Sequence, residues 1–208
     1  RGDAAHDSGD LLDRGLRERS VMILEGLVTS ENAAGEVNLA PMGPRVEPEM
    51  QRLVLRPYPT SQTCRNLVET GYGVFHVTDN VELLAQAAIG QIEPWPELRP
   101  VPGGKGQILV EACRWYAFEV ERIDDSTERV TLDVRVVHWG RQRDFFGLNR
   151  AKHAVVEAAI LATRRHLLPA SHLADELLRL APLVEKTGGP AEVRAFALLR
   201  AEIERPMG

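Results

Sequence analysis

Cysteine is scarce in this chain, with two residues, Cys64 and Cys113, in a length of 208. Two cysteines are too few for a disulfide framework, and their spacing does not match a zinc knuckle. They are typical of a reducing cytoplasm, where a free cysteine mostly acts as a small buried hydrophobic residue. The six histidines form no His-Glu-x-x-His or comparable ligand pattern. We therefore predict no metal site.

An excess of positive charge and a long apolar run are also absent. Lys and Arg total 25 against 30 Asp and Glu, which gives a formal net charge of -5, so no overall basic surface predicts a nucleic-acid partner. No apolar run approaches the ~20 residues that span a bilayer, and no signal-peptide pattern precedes the first predicted strand. We expect a cytoplasmic protein without nucleic-acid or membrane partners. Hydrophobic residues at 44% exclude wholesale disorder.

Three segments differ in pattern along the chain. Residues 1–19 are polar and rich in both charge signs, which predicts a flexible N-terminal arm. Residues 20–147 are dominated by β signals, and residues 148–208 by a helical period of 3.6. The fold class is therefore mainly β with α, a β domain followed by a C-terminal helical subdomain whose apolar faces should pack on the β domain or on a second subunit.

The β region predicts a hairpin with a turn at Asn32–Gly35 and a returning strand that ends, bulges or lies at a sheet edge at Pro41. Residues 94–106, rich in Pro and Gly, predict a long surface loop. Further strands are predicted at 52–57, 73–78, 107–122 and 129–141. Short helices are predicted at 63–70 and 81–89, and three more in the C-terminal segment, the second capped by Ser171 and the third starting at Pro190.

Two segments carry the candidate chemistry. In the first, Asn38 lies beside Pro41 in a strand whose unpaired backbone groups can hydrogen-bond a flat heteroaromatic ring. In the second, the hydroxyl residues Thr60, Ser61 and Thr63 open a short helix, whose free N–H groups and dipole suit a phosphate. An edge that binds a ring and a helix start that binds a phosphate, about twenty residues apart, are the minimum set of binding features for a nucleotide-like cofactor such as FMN.

Both segments also have an ordinary structural interpretation. A Ser or Thr before a helix is more often a plain N-cap than a phosphate ligand. Asn38 can hold a turn, and Pro41 can end a strand. No Ser-His-Asp or Cys-His arrangement can be defended from the sequence, so we name no catalytic side chain.

At this point the sequence resembles a known family. It is similar to the FMN-binding split-barrel superfamily, in its flavin-reductase branch, and more closely to the family called domain of unknown function 447. The motifs are Gly35-x-Val37-Asn38-x-Ala40-Pro41-Met42-Gly43, Ser61-Gln62-Thr63-x-x-Asn66-Leu67, Val77-Thr78-Asp79, the helical stretch 149–164, and Glu185-Lys186-Thr187-Gly188-Gly189. The resemblance covers nearly everything from Val21 to Ile203, and the helical stretch is the part specific to the family.

The resemblance implies a six-stranded Greek-key barrel in a homodimer, with FMN in a groove near the subunit interface. It implies that the phosphate is held by Ser61, Thr63 and Asn66, and that the ring edge is lined by Asn38, Ala40, Pro41 and Met42. Arg56 and Gln62 complete the predicted cofactor-binding set. Gln62 stands where many flavin reductases have Lys or Arg, so phosphate affinity depends on backbone N–H groups or on Arg56. The Gly-Asp-His signature of many flavin reductases is absent, and Cys113-Arg114-Trp115 occupies that region.

The leading functional prediction is an FMN-binding oxidoreductase. The family occurs in organisms that use tetrahydromethanopterin, which implies reduction of a flavin or a pterin-type substrate linked to one-carbon metabolism. The alternative is a non-catalytic flavin or pterin carrier, or a dimeric scaffold that keeps the fold without redox activity.

Overall fold

The computed structural model describes residues 22–206, so the predicted arm 1–19 lies outside the described residues. Ten strands and five α-helices occur within that range. The strands are β1 (Met22–Ile23), β2 (Gly26–Glu31), β3 (Val37–Met42), β4 (Arg45–Val46), β5 (Arg52–Leu55), β6 (Tyr72–Val77), β7 (Leu98–Pro100), β8 (Gln107–Leu109), β9 (Arg114–Asp124) and β10 (Thr131–Arg141). The helices are α1 (Gln62–Thr70), α2 (Val81–Ala88), α3 (Arg150–Thr163), α4 (Ala170–Thr187) and α5 (Pro190–Glu204), with a 3-10 turn at Arg165–Leu167.

Eight of the strands form one antiparallel sheet in the order β1-β4-β5-β10-β9-β6-β2-β3. Six of these have four residues or more, and β1 and β4 have two each. Because β1 runs on into β2, and β3 into β4, a single bent hairpin supplies both ends of the sheet. The hairpin thereby curls the sheet into a barrel, with β3 as an outermost strand.

Two glycines allow the hairpin to bend between its halves. A Cβ on Gly26 would lie against the carbonyl oxygen of His76, and a Cβ on Gly43 would lie 2.8 Å from the Glu25 carboxylate. Glycine in a strand commonly marks such a close backbone approach. The absence of a side chain at both positions therefore permits the close packing that closure of the barrel needs.

The chain has two main apolar cores, separated by the sheet. Inside the barrel, Phe75, Phe118 and Leu132 are buried together with Cys64 and Leu67 of α1, which covers one end of the barrel. Outside it, helices α2 to α5 share a second core with Leu27 and Leu39 of the hairpin. The C-terminal helices therefore pack on the β region, as expected, and α2 joins them. The division of the chain at residue 147 stays a prediction.

The structure confirms several local predictions and corrects three. The Asn32–Gly35 turn, the edge position of Pro41 and the start of α5 at Pro190 are confirmed. The predicted strand 107–122 is wrong as one piece, because the chain turns between β8 and β9, where Ala112 N–H donates to the Leu109 carbonyl. The predicted loop 94–106 contains β7, which pairs with β8. Ser171 is not the cap of α4, which begins one residue earlier, at Ala170.

Candidate functional site

Helix α1 starts at a well-formed N-cap. Ser61 has extended backbone angles, its Oγ accepts a hydrogen bond from the Cys64 amide at 3.1 Å, and its hydroxyl donates to the Tyr58 carbonyl at 2.8 Å. Ser61 thus has the ordinary capping role that the sequence left open. Within residues 22–206, the amides of Gln62 and Thr63 have no hydrogen-bond acceptor, as is usual in the first turn of a helix. These two donors remain available at the helix start.

The two candidate segments meet in the folded chain. Asn38 Nδ2 donates to Thr63 Oγ1 at 3.0 Å, although 25 residues separate them. Thr63 is buried and Asn38 is half-buried. Strand β3 and the start of α1 therefore face each other, as a shared site requires.

A second pair of hydrogen bonds extends this contact. Asn66, one turn after Thr63, donates from Nδ2 to Ser30 Oγ at 3.2 Å and accepts from Gln62 Nε2 at 2.6 Å. Ser30 and Asn66 are both buried. Ser30, Asn38, Gln62, Thr63 and Asn66 are called the polar network below.

Sequence reasoning missed Ser30, although a signal for it existed. Ser30 lies directly opposite Asn38 in the β2–β3 register. The Asn32–Gly35 turn fixes that register, and cross-strand partners have side chains on the same face. The position of Asn38 and the turn together would have identified Ser30 as its neighbour.

The remaining predicted residues lie in two different places. Ala40, Pro41 and Met42 follow Asn38 along β3 and are all half-buried. Because β3 is an outermost strand of the sheet formed by residues 22–206, the backbone groups on its free edge are not used in pairing with any strand of that range. Arg56 is exposed after β5, and within residues 22–206 no hydrogen bond or ion pair joins it to the polar network.

A charged cluster lies at the junction between the barrel and α3. Arg143 donates from both Nη atoms to the Asp79 carboxylate, which also accepts the Phe146 amide at 2.8 Å. Lys152 Nζ donates to the Asp79 carbonyl at 2.6 Å and pairs with Glu192 at 2.9 Å. We call Asp79, Arg143, Lys152 and Glu192 the junction network. The hydrogen bonds from Arg143 lower the pKa of Asp79 to about 2, against the opposing effect of burial.

His76 is a buried structural residue of the barrel. Its Nε2 accepts the Leu109 amide at 3.0 Å, and its Nδ1 lies 3.3 Å from the Leu27 carbonyl. Burial lowers its pKa to about 3. The neutral ring therefore donates from Nδ1 and accepts at Nε2. Both ring nitrogens form hydrogen bonds within the protein, so neither is free to contact a substrate.

The other reactive groups show no built site. Cys64 and Cys113 are free and buried, and burial raises the pKa of both thiols. In the described part of the chain, no group of three or more His, Cys, Asp or Glu side chains is placed to hold a metal ion. No helix among residues 22–206 combines the length and apolar character needed to cross a bilayer.

Comparison with solved structures shows the fold. An FMN-bound protein from Methanosarcina mazei, of the DUF447 family, matches with a TM-score of 0.75 and 24% identity over 93% of this chain and 100% of that protein. A flavin reductase domain protein from Arthrobacter sp. FB24 matches with a TM-score of 0.50 and 14% identity over 66% of this chain and 87% of that protein. The barrel is therefore the split barrel of flavin-reductase-like proteins, extended by the C-terminal helices.

Comparison with family models covers most of the chain. No curated protein matches it. The model described as protein of unknown function (DUF447), N-terminal domain, matches residues 24–143, and the accompanying C-terminal model matches residues 149–201. The chain belongs to the DUF447 family.

Proposed function

We propose that this chain is a flavoprotein that binds FMN at the polar network and uses it in an oxidoreductase reaction. The observation that carries the proposal is the hydrogen bond between Asn38 and Thr63, because it joins the strand assigned to the ring and the helix assigned to the phosphate. The FMN-bound relative, which spans nearly the whole chain, supports it.

The groups at the start of α1 fit a phosphate. The amides of Gln62 and Thr63 are free donors at the positive end of the helix dipole. The Thr63 hydroxyl accepts from Asn38 and keeps its own proton to donate. Arg65 lies across the helix start, donating to the Thr60 carbonyl and, at 2.8 Å, to Gln62 Oε1. Its positive charge fills the role expected of the Lys or Arg that Gln62 replaces.

The free edge of β3 fits a flat ring. Asn38 is at the phosphate end of the strand, and Ala40, Pro41 and Met42 extend away from it. Extended backbone rises about 3.4 Å per residue, so the strand spans roughly the length of a flavin with its ribityl chain. Unpaired amide and carbonyl groups along this edge supply the in-plane donors and acceptors that a flavin ring needs.

The polar network contains no titratable side chain, which bears on the choice between enzyme and carrier. A bound flavin supplies hydride transfer itself, and the protein contributes binding, orientation and polarity. Reduction of a flavin or pterin-type substrate is our leading proposal. The same neutral site equally suits a non-catalytic flavin or pterin carrier, and reduction of the bound cofactor separates the two.

We further propose a homodimer, formed through apolar side chains in the last part of β10 and in the segment that follows it. Trp139, in β10, is 70% exposed, and Phe146 is 90% exposed, with Phe145 and Leu148 exposed close to Phe146 in the sequence. Large apolar side chains grouped in this way mark an interaction site in a soluble protein. Sedimentation of the purified chain should give twice the mass of one chain, and Phe146→Lys should shift it toward the monomer.

The decisive experiment for the proposal is a flavin titration followed by anaerobic reduction. The purified chain is titrated with FMN while absorbance and fluorescence are recorded, and NADH or NADPH is then added. Binding with reduction supports the oxidoreductase, binding without reduction by either donor supports the carrier, and no binding contradicts both. The double variant Ser61→Ala/Thr63→Ala should lose FMN binding strongly and keep riboflavin binding.

A further inference from the structure

One row of residues crosses the inside of the barrel near the end of β3 that lies away from α1. The strand register aligns one residue from each of β10, β9, β6, β2 and β3 in this row: Arg141, Arg114, Val77, Gly26 and Met42. Residues aligned across neighbouring strands have side chains on the same face of the sheet. Val77 and Met42 pack against the core inside the barrel, so the whole row faces inward.

The barrel wall is open beside Arg114. Strand β5 pairs with β10 only at residues 132–135 of β10, so the later part of β10 has no strand paired on that side within residues 22–206. Trp139 lies in this later part, directly opposite the buried Tyr116, and is largely exposed. Arg114, two residues before Tyr116 and on the same face, is also exposed. Solvent therefore reaches the row at Arg114.

Arg114 carries a positive charge that the described part of the chain does not pair. Arg141 forms an ion pair with Asp144, and Arg143 forms one with Asp79. No hydrogen bond or ion pair within residues 22–206 engages the Arg114 guanidinium. Because a guanidinium binds a carboxylate through two parallel hydrogen bonds, Arg114 is available to an acidic group of a ligand.

We infer that the substrate of this site is a flat heteroaromatic acid, such as a pterin carboxylate, whose acidic group binds Arg114. The inference rests on the proposed function, because it takes the flavin ring to lie along β3. It adds the charge and the orientation of the substrate, which the proposed function leaves open.

The row fits such a molecule between Arg114 and the proposed flavin site. Neighbouring strands are about 4.8 Å apart, so three strand spacings separate Arg114 from Met42 by on the order of 14 Å. Val77 and Met42, both half-buried, offer an apolar surface to a flat ring between these two points. With its acidic group on Arg114, a two-ring heterocycle lies with its far end toward Met42, where the proposed flavin ring ends.

Trp139 flanks the site on the side of Arg114 that faces away from Met42. Its register with Tyr116 makes it a diagonal neighbour of Arg114, and long side chains in such positions are within reach of each other. The indole reduces the water around an ion pair formed at Arg114, and an ion pair is stronger where less water surrounds it. Because Trp139 also belongs to the proposed dimer interface, the substrate site lies beside that interface.

The test measures binding of two pterins to the FMN-loaded chain by isothermal titration calorimetry. Pterin-6-carboxylate carries the acidic group, and 6-methylpterin has the same rings without it. The proteins are the wild type, Arg114→Gln, the conservative variant Arg114→Lys, and the control Arg122→Gln, near the far end of the same strand. Each protein is first titrated with FMN.

We expect the wild type and Arg122→Gln to bind pterin-6-carboxylate about tenfold more tightly than 6-methylpterin, and Arg114→Gln to lose that preference. Arg114→Lys should keep part of the preference, because it keeps the charge without the paired hydrogen bonds. FMN affinity should stay within about twofold in every variant.

Two results would overturn the inference and leave the proposed function intact. One is a wild type that binds FMN but shows no preference for pterin-6-carboxylate or does not bind it. The other is a preference that Arg114→Gln retains or that Arg122→Gln loses to the same extent. A wild type that does not bind FMN removes the proposed function and this inference together.

Discussion

The polar network and the junction network differ in charge and in how completely their groups are used. The polar network is neutral, and its neighbouring amides at the start of α1 have no partner within residues 22–206. In the junction network, each member forms an ion pair or a charged hydrogen bond. In each network most members are buried or half-buried, with Gln62 and Arg143 exposed, and both networks join segments distant in sequence. The spare donors mark the first as suited to a ligand and the second as suited to holding the fold.

The difference follows from the free energy of burying charge. A buried carboxylate such as Asp79 is tolerated only when paired and hydrogen-bonded, so its partners must be supplied by the chain itself. Neutral amides and hydroxyls have a smaller desolvation penalty and can exchange partners when a ligand arrives. The two networks should therefore respond differently to substitution, to pH and to FMN.

The largest effect is expected in the junction network. Asp79→Ala should lower the free energy of unfolding by about 3 kcal/mol, because it leaves Arg143 without its carboxylate partner and the Phe146 amide without an acceptor. Asp144→Ala, at an exposed ion pair with Arg141, is the control and should cost less than about 0.5 kcal/mol. Urea unfolding measures both. Equal losses of unfolding free energy in Asp79→Ala and Asp144→Ala would show that the junction network does not stabilise the fold more than an exposed ion pair.

Lowering the pH should destabilise the fold through His76, which belongs to neither network. His76 is neutral when folded, with a pKa near 3 against an ordinary value of 6.5. Its stabilising contribution is therefore complete above pH 6.5 and is lost as the pH falls toward 3. We expect a loss of about 2 kcal/mol between pH 7 and pH 5 that His76→Gln abolishes. Asp79, with a lowered pKa, contributes above pH 3.8 and loses its contribution only as the pH falls toward 2.

Substitution in the polar network should affect binding more than stability. Asn38→Ala should lower FMN affinity about tenfold and the free energy of unfolding by only about 1 kcal/mol. Combining it with Thr63→Ala should add little to the loss of unfolding free energy, because the two residues share one hydrogen bond, but should lower FMN affinity further, because the Thr63 hydroxyl also donates to the phosphate. Fluorescence titration with FMN and urea unfolding are carried out on the wild type, the two single variants and the double variant. Unchanged FMN affinity in Asn38→Ala would remove the polar network from the binding site.

The smallest effect is expected at the helix cap. Ser61→Ala should lower the free energy of unfolding by about 1 kcal/mol through loss of the hydrogen bond to the Cys64 amide. Ser61→Asp should retain that stability, because aspartate is an equally good N-cap. Thermal unfolding of the three proteins in the absence of flavin checks this. A lower stability in Ser61→Asp than in Ser61→Ala would mean that Ser61 is not acting as a cap.

Local sequence signals predicted the elements around the candidate site and missed contacts made over long distances. Ser61, Gly71 and the Asn32–Gly35 turn set α1 and the β2–β3 hairpin by backbone chemistry alone, so both could be predicted. The break between β8 and β9 depends on Cys113, whose amide donates to the Val77 carbonyl and whose carbonyl accepts from residue 142. Pairings of that kind are set by the tertiary fold, and no local propensity signals them.

The same limit applied to Asp79. Asp79 and Asn80 both precede α2 and are both residue types that cap helices, and Asn80 has that role. Asp79 instead pairs with Arg143, 64 residues later, which no pattern near either residue indicates. The sequence assigned Asn38 and Thr63 to two ends of one cofactor but did not predict that they touch, and the structure shows a direct hydrogen bond between them.

The most direct test of the central claim compares FMN and riboflavin binding in wild type and Ser61→Asp. The aspartate keeps the cap but puts a negative charge where the phosphate would lie. We predict that wild type prefers FMN over riboflavin and that Ser61→Asp lowers FMN affinity by about tenfold or more, with riboflavin affinity unchanged. Equal losses for the two ligands, or no preference for FMN in the wild type, would contradict a phosphate site at the start of α1.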